Sequence, residues 1–333
     1  MKNKVIKKIM LFTILISIVI VNVTFSLDAT SSNTTMVNYN KHPLIEGKDR
    51  FFFLKGDVEC AYTDDYLSLN DKLFIVQLLI MLRDKVLKEE DRENFVLMFA
   101  PNKADVYGDK IDTKYIKNKK EESKIIDLMK YIAKYSNIKV VLATNELKDA
   151  TKVVDTYYKY DSHWNGYGAL IGVNNLLKKL GFSTIDYKEK DITYFNYPSA
   201  MGDSIPSPTP EGFDKVEKVY MVGGVKNKET DYKFILRDNK SGDHSRTIAE
   251  SITPTIDKNI LMIHDSMAFS MMQYIFPYFN KSYLYHYNTV DEIDYKNINP
   301  NVFVYELLET GVYALSSRLI KTIQAIDKNM ELK

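Results

Sequence analysis

At 333 residues the chain is long enough for one large α/β domain with a sizeable core. Lysine plus arginine number 45 against 44 aspartate plus glutamate, so no net field selects nucleic acid as a partner. The single cysteine, Cys60, excludes both an intramolecular disulfide framework and a cysteine-rich metal site.

Lys2, Lys4, Lys7 and Lys8 precede an apolar run from Ile9 to Phe25, broken only by Thr13, Ser17, Asn22 and Thr24. A basic lead before an apolar segment is what export machinery reads, with the positive flank kept inside. The expectation is an exported chain at the outer face of the cytoplasmic membrane, with residues 1–26 as signal or anchor. No Ala-x-Ala site stands near Ser26 to Ala29, and no cysteine there offers lipid attachment, which favours a retained anchor over a cleaved signal. Residues 27–45 are polar and read as a tether, leaving 46–333 for the folded domain.

Phe51 to Leu54 reads as a short strand. Leu67, Leu69, Leu73, Phe74, Leu78, Leu79 and Leu82 supply one apolar face of a helix. FVLMFAP (95–101), stopped by proline, fits a strand buried on both faces. Ile125, Ile126, Leu128, Met129 and Ile132 repeat the helical period within 121–135, and IKVVLA (138–143) is a second buried strand. A helix over Tyr167 to Leu180 closes on Lys178, Lys179 and Gly181. Between 182 and 258 the pattern weakens into short alternating segments, which read as an inserted irregular or β region. Order returns with ILMIHDS (260–266), a helix over Met267 to Phe276 ended by Pro277, YLYHY (283–287), VFVYELL (302–308) and a last helix near 311–328. Buried strands alternating with amphipathic helices predict a three-layer α/β domain with a mostly parallel sheet.

Two segments carry residues suited to chemistry. In Tyr160-Asp161-Ser162-His163-Trp164-Asn165, Asp161 and His163 are two apart and can share one side of a short extended segment. A carboxylate beside one imidazole nitrogen fixes the tautomer and stabilises the imidazolium formed in proton transfer. The same letters also suit a helix start, with Asp161 or Asn165 as cap and Trp164 as core. In the second segment an apolar strand, Ile260 to His264, ends in Asp265-Ser266 and a helix follows at once. Ligand sites in open α/β sheets lie at such strand ends, where free helix N–H groups meet negative charge. Ser266 therefore suits either a nucleophile whose own amide helps hold an oxyanion, or a plain N-cap.

Ser204, in Gly202-Asp203-Ser204, has the letters of a hydrolase box without a buried strand before it, and Cys60 reads as a small hydrophobe. His264 either approaches the site of Ser266 or sits in the core. His244 lies in a polar loop as a substrate or supporting group, His42 in the tether and His286 in a strand. None of these forms a standard zinc pattern with Asp161 and His163, so neither metal nor cofactor is expected.

Five blocks resemble, in order, those of the alginate O-acetyltransferase family, relatives of the SGNH/GDSL esterases. They are GKDRFFFLKGD (47–57), LMFAPNKADVY (97–107), YKYDSHWNGYGA (158–169), ILMIHDSMA (260–268) and NPNVFVYELLE (299–309). The Asp-x-His-Trp and strand–Asp-Ser blocks are the specific part. The resemblance implies an SGNH-hydrolase-like α/β/α domain with Ser266 as nucleophile, His163 as base and Asp161 as its orienting partner. Trp164, Lys103, Asp265, His264 and His244 become candidates for substrate contact or support. The implied reaction is O-acetyl transfer to an extracellular polysaccharide or wall polymer through an acetyl-serine, with hydrolysis if water is the acceptor. A membrane-bound O-acyltransferase would supply the acetyl groups; the alternative is an inactive relative that binds or assembles polysaccharide. His264, Arg50 and Met267 depart from the family pattern, at positions usually held by glycine, glycine and an aromatic residue. Gly202-Asp203 resembles a Gly-Asp-Leu element of the family, which makes Ser204 structural.

Overall fold

The strands, in chain order, are β1 (Leu44–Glu46), β2 (Phe52–Leu54), β3 (Phe95–Ala100), β4 (Lys139–Leu142), β5 (Ile192–Pro198), β6 (Val216–Val222), β7 (Phe234–Asn239), β8 (Arg246–Ser251), β9 (Ile256–His264), β10 (Phe279–His286) and β11 (Val302–Leu308). This computed structural model describes residues 43–331 apart from 63–65, 117–122, 200–201, 206–213, 224–232 and 240–244. The expected export segment, most of the tether, His42 and His244 lie outside the described residues. Among the described residues no helix is long and apolar enough to cross a membrane. β1 pairs antiparallel with β2, Ile45 opposite Phe53, so ordered structure begins inside the stretch read as tether.

The main sheet runs β4-β3-β11-β9-β10-β8-β7. Its first five strands are mutually parallel, and β8 and β7 extend it antiparallel. Part of the 182–258 stretch thus belongs to the central sheet, while β5 and β6 form a separate antiparallel pair. Alternate residues of the same strands feed two apolar clusters, as the period of two requires. Val96, Met98, Ile260, Met262 and Val304 pack with the helix Gly166–Leu180. Leu97, Phe99, Leu261, Ile263 and Phe303 pack with the helices Leu69–Val86, Lys124–Tyr135 and Leu315–Glu331. The molecule is a mixed α/β protein with a mostly parallel sheet.

Local chemistry sets the helix ends near the site. The Asn165 side chain accepts from the Gly168 amide at 3.0 Å, and Gly181 closes the helix at φ 85°, a left-handed conformation suited to glycine. The helix expected over 267–276 divides into a 3₁₀ segment, Ser266–Met271, and a short α-helix, Met272–Ile275. The Met267 carbonyl in the 3₁₀ segment accepts from the Trp164 indole at 2.7 Å, a tertiary bond absent from an isolated helix.

Candidate active site

β9 delivers Ser266 at its carboxyl end, and Asp265 fixes the turn from four directions. Its amide donates to Glu306 Oε2 at 3.2 Å and its carbonyl accepts from His264 Nδ1 at 2.7 Å. Its carboxylate accepts from the Met267 amide at 3.0 Å and the Leu308 amide at 2.6 Å. Asp265, not Ser266, is therefore the N-cap. Among the described residues no group accepts from the Ser266 amide, which keeps its N–H for an incoming oxygen.

The loop after Ala150 brings the second half. An antiparallel bridge between Tyr157 and Trp164 folds it back on itself, with Tyr158 N–H donating to the His163 carbonyl at 3.3 Å. Ser266 Oγ lies 2.8 Å from His163 Nε2, and His163 Nδ1 lies 2.6 Å from Asp161 Oδ1. Asp161 Oδ1 also accepts the His163 amide at 2.8 Å, and Oδ2 accepts the Asp203 amide at 3.2 Å. Serine, histidine and aspartate meet although 103 residues separate Ser266 from His163.

Burial alone would favour the neutral imidazole. The Asp161 carboxylate on Nδ1 outweighs it, backed by Asp203 and Asp265, and lifts His163 to about 9. Burial also works against the charged Asp161, but the hydrogen bond and charge of His163 hold that carboxyl below its ordinary value. The pair rests as carboxylate and imidazolium at neutral pH.

Three residues expected to touch or support the site are too deeply buried to meet a substrate. Trp164 is 0% exposed and its Nε1 donates to the Met267 carbonyl at 2.7 Å, tying the histidine loop to the nucleophile turn. Lys103 is 1% exposed, and its ammonium donates to the carbonyls of Phe52 (2.7 Å), Lys159 (2.8 Å) and Asp161 (3.1 Å). Burial pulls that ammonium down to about 8, against the opposing pull of Asp161, Glu217, Asp203 and Asp57. His264 is fully buried, with its ring edge-on to Phe269 at 5.8 Å, and braces the turn through the Asp265 carbonyl. Asp265, with both oxygens on backbone amides, has the same supporting work.

Two further residues do work that the sequence reading did not assign. Asp203 accepts from the Ser162 amide (2.7 Å), Ser162 Oγ (2.5 Å) and Ser204 Oγ (2.8 Å), and its Oδ2 lies 3.7 Å from His163 Nδ1. Gly202 permits this approach, since a Cβ there would sit 2.0 Å from the Tyr160 carbonyl oxygen. Ser204 is buried, its amide on that same carbonyl at 3.0 Å, which makes it structural. Glu306 is the other: burial keeps its carboxyl protonated far above the usual range while Oε2 holds the Asp265 amide. Its signal was present in VFVYELL, where a glutamate in a buried apolar strand must find a donor. Cys60 is buried and its thiol is pushed up to about 12 by that burial, so it is not a nucleophile at neutral pH. Ligand atoms of Asp161, His163 and Asp203 lie within 4.8 Å of one another. The hydrogen bonds already described account for that convergence as orientation of the imidazole.

No protein-family model matches the chain, and no curated protein sequence matches it significantly. Solved structures share its fold. Bacillus cereus PatB1, determined with a sulfonyl adduct, superposes with a TM-score of 0.57 at 15% identity, over 83% of this chain and 97% of that one. A DHHW family protein from Eubacterium siraeum gives 0.52 at 12% identity, over 86% and 98%. Pseudomonas aeruginosa AlgX gives 0.53 at 12% identity, over 86% and 67%. At these identities the likeness establishes the fold, and the fold agrees with the group of proteins that the sequence blocks resemble.

Proposed function

We propose that this chain is a serine O-acyltransferase with a three-layer SGNH-hydrolase-like domain, moving acetyl groups onto an extracellular polysaccharide or wall polymer. The carrying observation is the 2.8 Å contact between Ser266 Oγ and His163 Nε2, with Asp161 on the other ring nitrogen. Neutral His163 takes the Ser266 proton as Oγ attacks the acetyl carbonyl, and the Ser266 amide donates to the oxyanion. The C–O bond to the donor breaks, the departing alkoxide takes the proton from His163, and acetyl-Ser266 remains. A saccharide hydroxyl then attacks that ester, giving its proton to His163, which returns it to Ser266 Oγ. Water in place of the saccharide gives hydrolysis. The sulfonyl adduct of PatB1 supports this reading by analogy, since sulfonyl reagents attach to activated nucleophiles.

The basic and apolar start of the chain motivates the rest of the proposal: action at the outer face of the cytoplasmic membrane, beside a membrane-bound O-acyltransferase that delivers acetyl groups. Turnover of p-nitrophenyl acetate, with and without polysaccharide acceptors, tests the chemistry. Glycan binding without any ester turnover would favour the inactive binding protein.

The acylation step needs the imidazole without its Nε2 proton. With His163 lifted to about 9, the neutral fraction grows as pH rises, so kcat/KM should climb from neutral pH through a midpoint near pH 9 before levelling. Asp161→Asn removes the group that raises His163, so its weaker residual activity should level at a lower pH. A stopped-flow pH profile with both proteins checks the sign, and an identical midpoint for the two would contradict it.

Trp164→Phe keeps an aromatic ring but leaves the Met267 carbonyl without its indole donor. Ester turnover should fall about 10-fold, the scale of one unsatisfied buried carbonyl. Steady-state kinetics beside thermal unfolding will show whether the loss exceeds the change in stability.

A further inference from the structure

Two carboxylates stand beside the ring nitrogen of His163 that faces away from Ser266. Asp161 Oδ1 holds Nδ1 at 2.6 Å, and Asp203 Oδ2 lies 3.7 Å from the same atom. A serine–histidine–aspartate cluster needs one acceptor there, which keeps the proton on Nδ1 and leaves Nε2 for the nucleophile. The second comes from a separate stretch of chain, 42 residues on.

The turn that carries Asp203 brings it there by close packing. Gly202 N–H donates to the Ser199 carbonyl at 3.2 Å, and Ser204 N–H donates to the Tyr160 carbonyl at 3.0 Å. Between them the chain passes so near Tyr160 that a Cβ at 202 would sit 2.0 Å from its carbonyl oxygen. The Asp203 amide donates to Asp161 Oδ2 at 3.2 Å, which ties the two acids together. Asp203 Oδ1 accepts from the Ser162 amide and Ser204 Oγ. Oδ2 accepts from Ser162 Oγ and is the oxygen measured 3.7 Å from Nδ1. A neutral asparagine would hold Ser162 and Ser204 as well. Only a carboxylate offers Nδ1–H an acceptor on that side.

We infer that Asp203 is a second positioning carboxylate for His163, sharing the charge of the imidazolium and accepting Nδ1–H when Asp161 is lost. On the acyl-transfer reading His163 is the base, and this role for Asp203 rests on that reading. It turns the triad into a unit of four and changes what loss of Asp161 does. Loss of the acid from a triad with no reserve costs about 10⁴-fold, because the tautomer goes with it. Here a closure of about 1 Å brings Oδ2 within hydrogen-bond distance of Nδ1 and preserves the tautomer. Other charged groups face the same cluster. Asp265 acts on the imidazole, which acts in turn on Asp57. The Lys103 ammonium faces both carboxylates, and Glu217, Tyr158 and Tyr197 interact with Asp161. All of these remain when residue 203 alone is changed.

Ester kinetics of the full chain carrying Asp161→Ala, Asp203→Asn or both, beside histidine ¹⁵N NMR of the same proteins, tests this. Asp203→Asn alone should cost less than about ten-fold, Asp161→Ala about 10²-fold, and the pair about 10⁴-fold. Neutral His163 should carry its proton on Nδ1 in Asp161→Ala and on Nε2 in the pair. A residue that only clasps the loop predicts the same factor for Asp203→Asn on both backgrounds. That result overturns the inference, as does a proton on Nε2 in Asp161→Ala. Where Asp161→Ala does not fold, Asp203→Asn decides, since it removes the charge and keeps the shape. The titration midpoint of His163 should then fall by about one pH unit, and an unchanged midpoint overturns the inference. Failure here leaves ester turnover by the unsubstituted chain intact. Failure of the acyl-transfer reading appears as absent turnover in that chain, with the His163 titration still measurable.

Discussion

Ser266→Ala is expected to lower acetyl-ester turnover by roughly four orders of magnitude or more, with the thermal unfolding midpoint almost unmoved. The first half follows from what Oγ touches: His163 Nε2 at 2.8 Å, which in its neutral form removes the proton. The second half follows from what Ser266 does not do. An N-cap serine replaced by alanine costs about 1 kcal/mol of stability. Here the cap is Asp265, whose carboxylate holds the Met267 amide, so Ser266 carries no such load. Kinetics and thermal melts on the same preparation separate the two roles. Turnover near that of the unsubstituted chain would remove Ser266 as nucleophile, while a clear drop in melting with activity retained would return it to a capping role.

Lys103→Met should be the most damaging change away from the reacting atoms. It removes a buried ammonium that joins three carbonyls, those of Phe52, Lys159 and Asp161, across separate parts of the chain. Methionine fills similar space and takes that donor from the Phe52 and Asp161 carbonyls, at a cost of about 1–3 kcal/mol for each that water does not reach, while the Lys159 carbonyl keeps the Phe52 amide at 3.0 Å. The expected result is about 3 kcal/mol less unfolding free energy, together with most of the turnover lost, because the Asp161 carbonyl is one of the three. Lys103→Arg should not restore activity: a planar guanidinium cannot point donors in the three directions that one ammonium does. Urea titration and ester kinetics check this, and unchanged stability in Lys103→Met would mean that the carbonyls find other donors.

Much of this arrangement was legible in the sequence. Buried strands over 95–100, 139–142 and 302–308, and the part of β9 from Ile260 onward, announce themselves as largely apolar runs, because a parallel strand covered on both faces has no polar side to alternate with; the start of β9, with Asp257, Lys258 and Asn259, did not. Asp161, His163 and Ser266 were legible from their spacing, their strand-end setting and the family blocks. What escaped was tertiary. The turn after Ser266 is tied by its Met267 carbonyl to an indole 103 residues away. Asp203 gains its role only because Gly202 lets the chain approach the Tyr160 carbonyl closely. Lys103, His264 and Trp164 looked equally suited to substrate contact or support, since a sequence does not show depth, and burial decides for support. The antiparallel strands β7 and β8 read as an insertion because, near a sheet edge, their alternation is weak.

The central claim is a covalent acetyl group on Ser266. Acid quench of the chain during turnover of p-nitrophenyl acetate, followed by peptide mass spectrometry, tests it most directly. One acetyl group should appear on the peptide containing Ser266, be absent in Ser266→Ala and His163→Ala, and be discharged by an acceptor saccharide. An active chain that never carries acetyl on Ser266, or carries it equally without His163, would contradict the account.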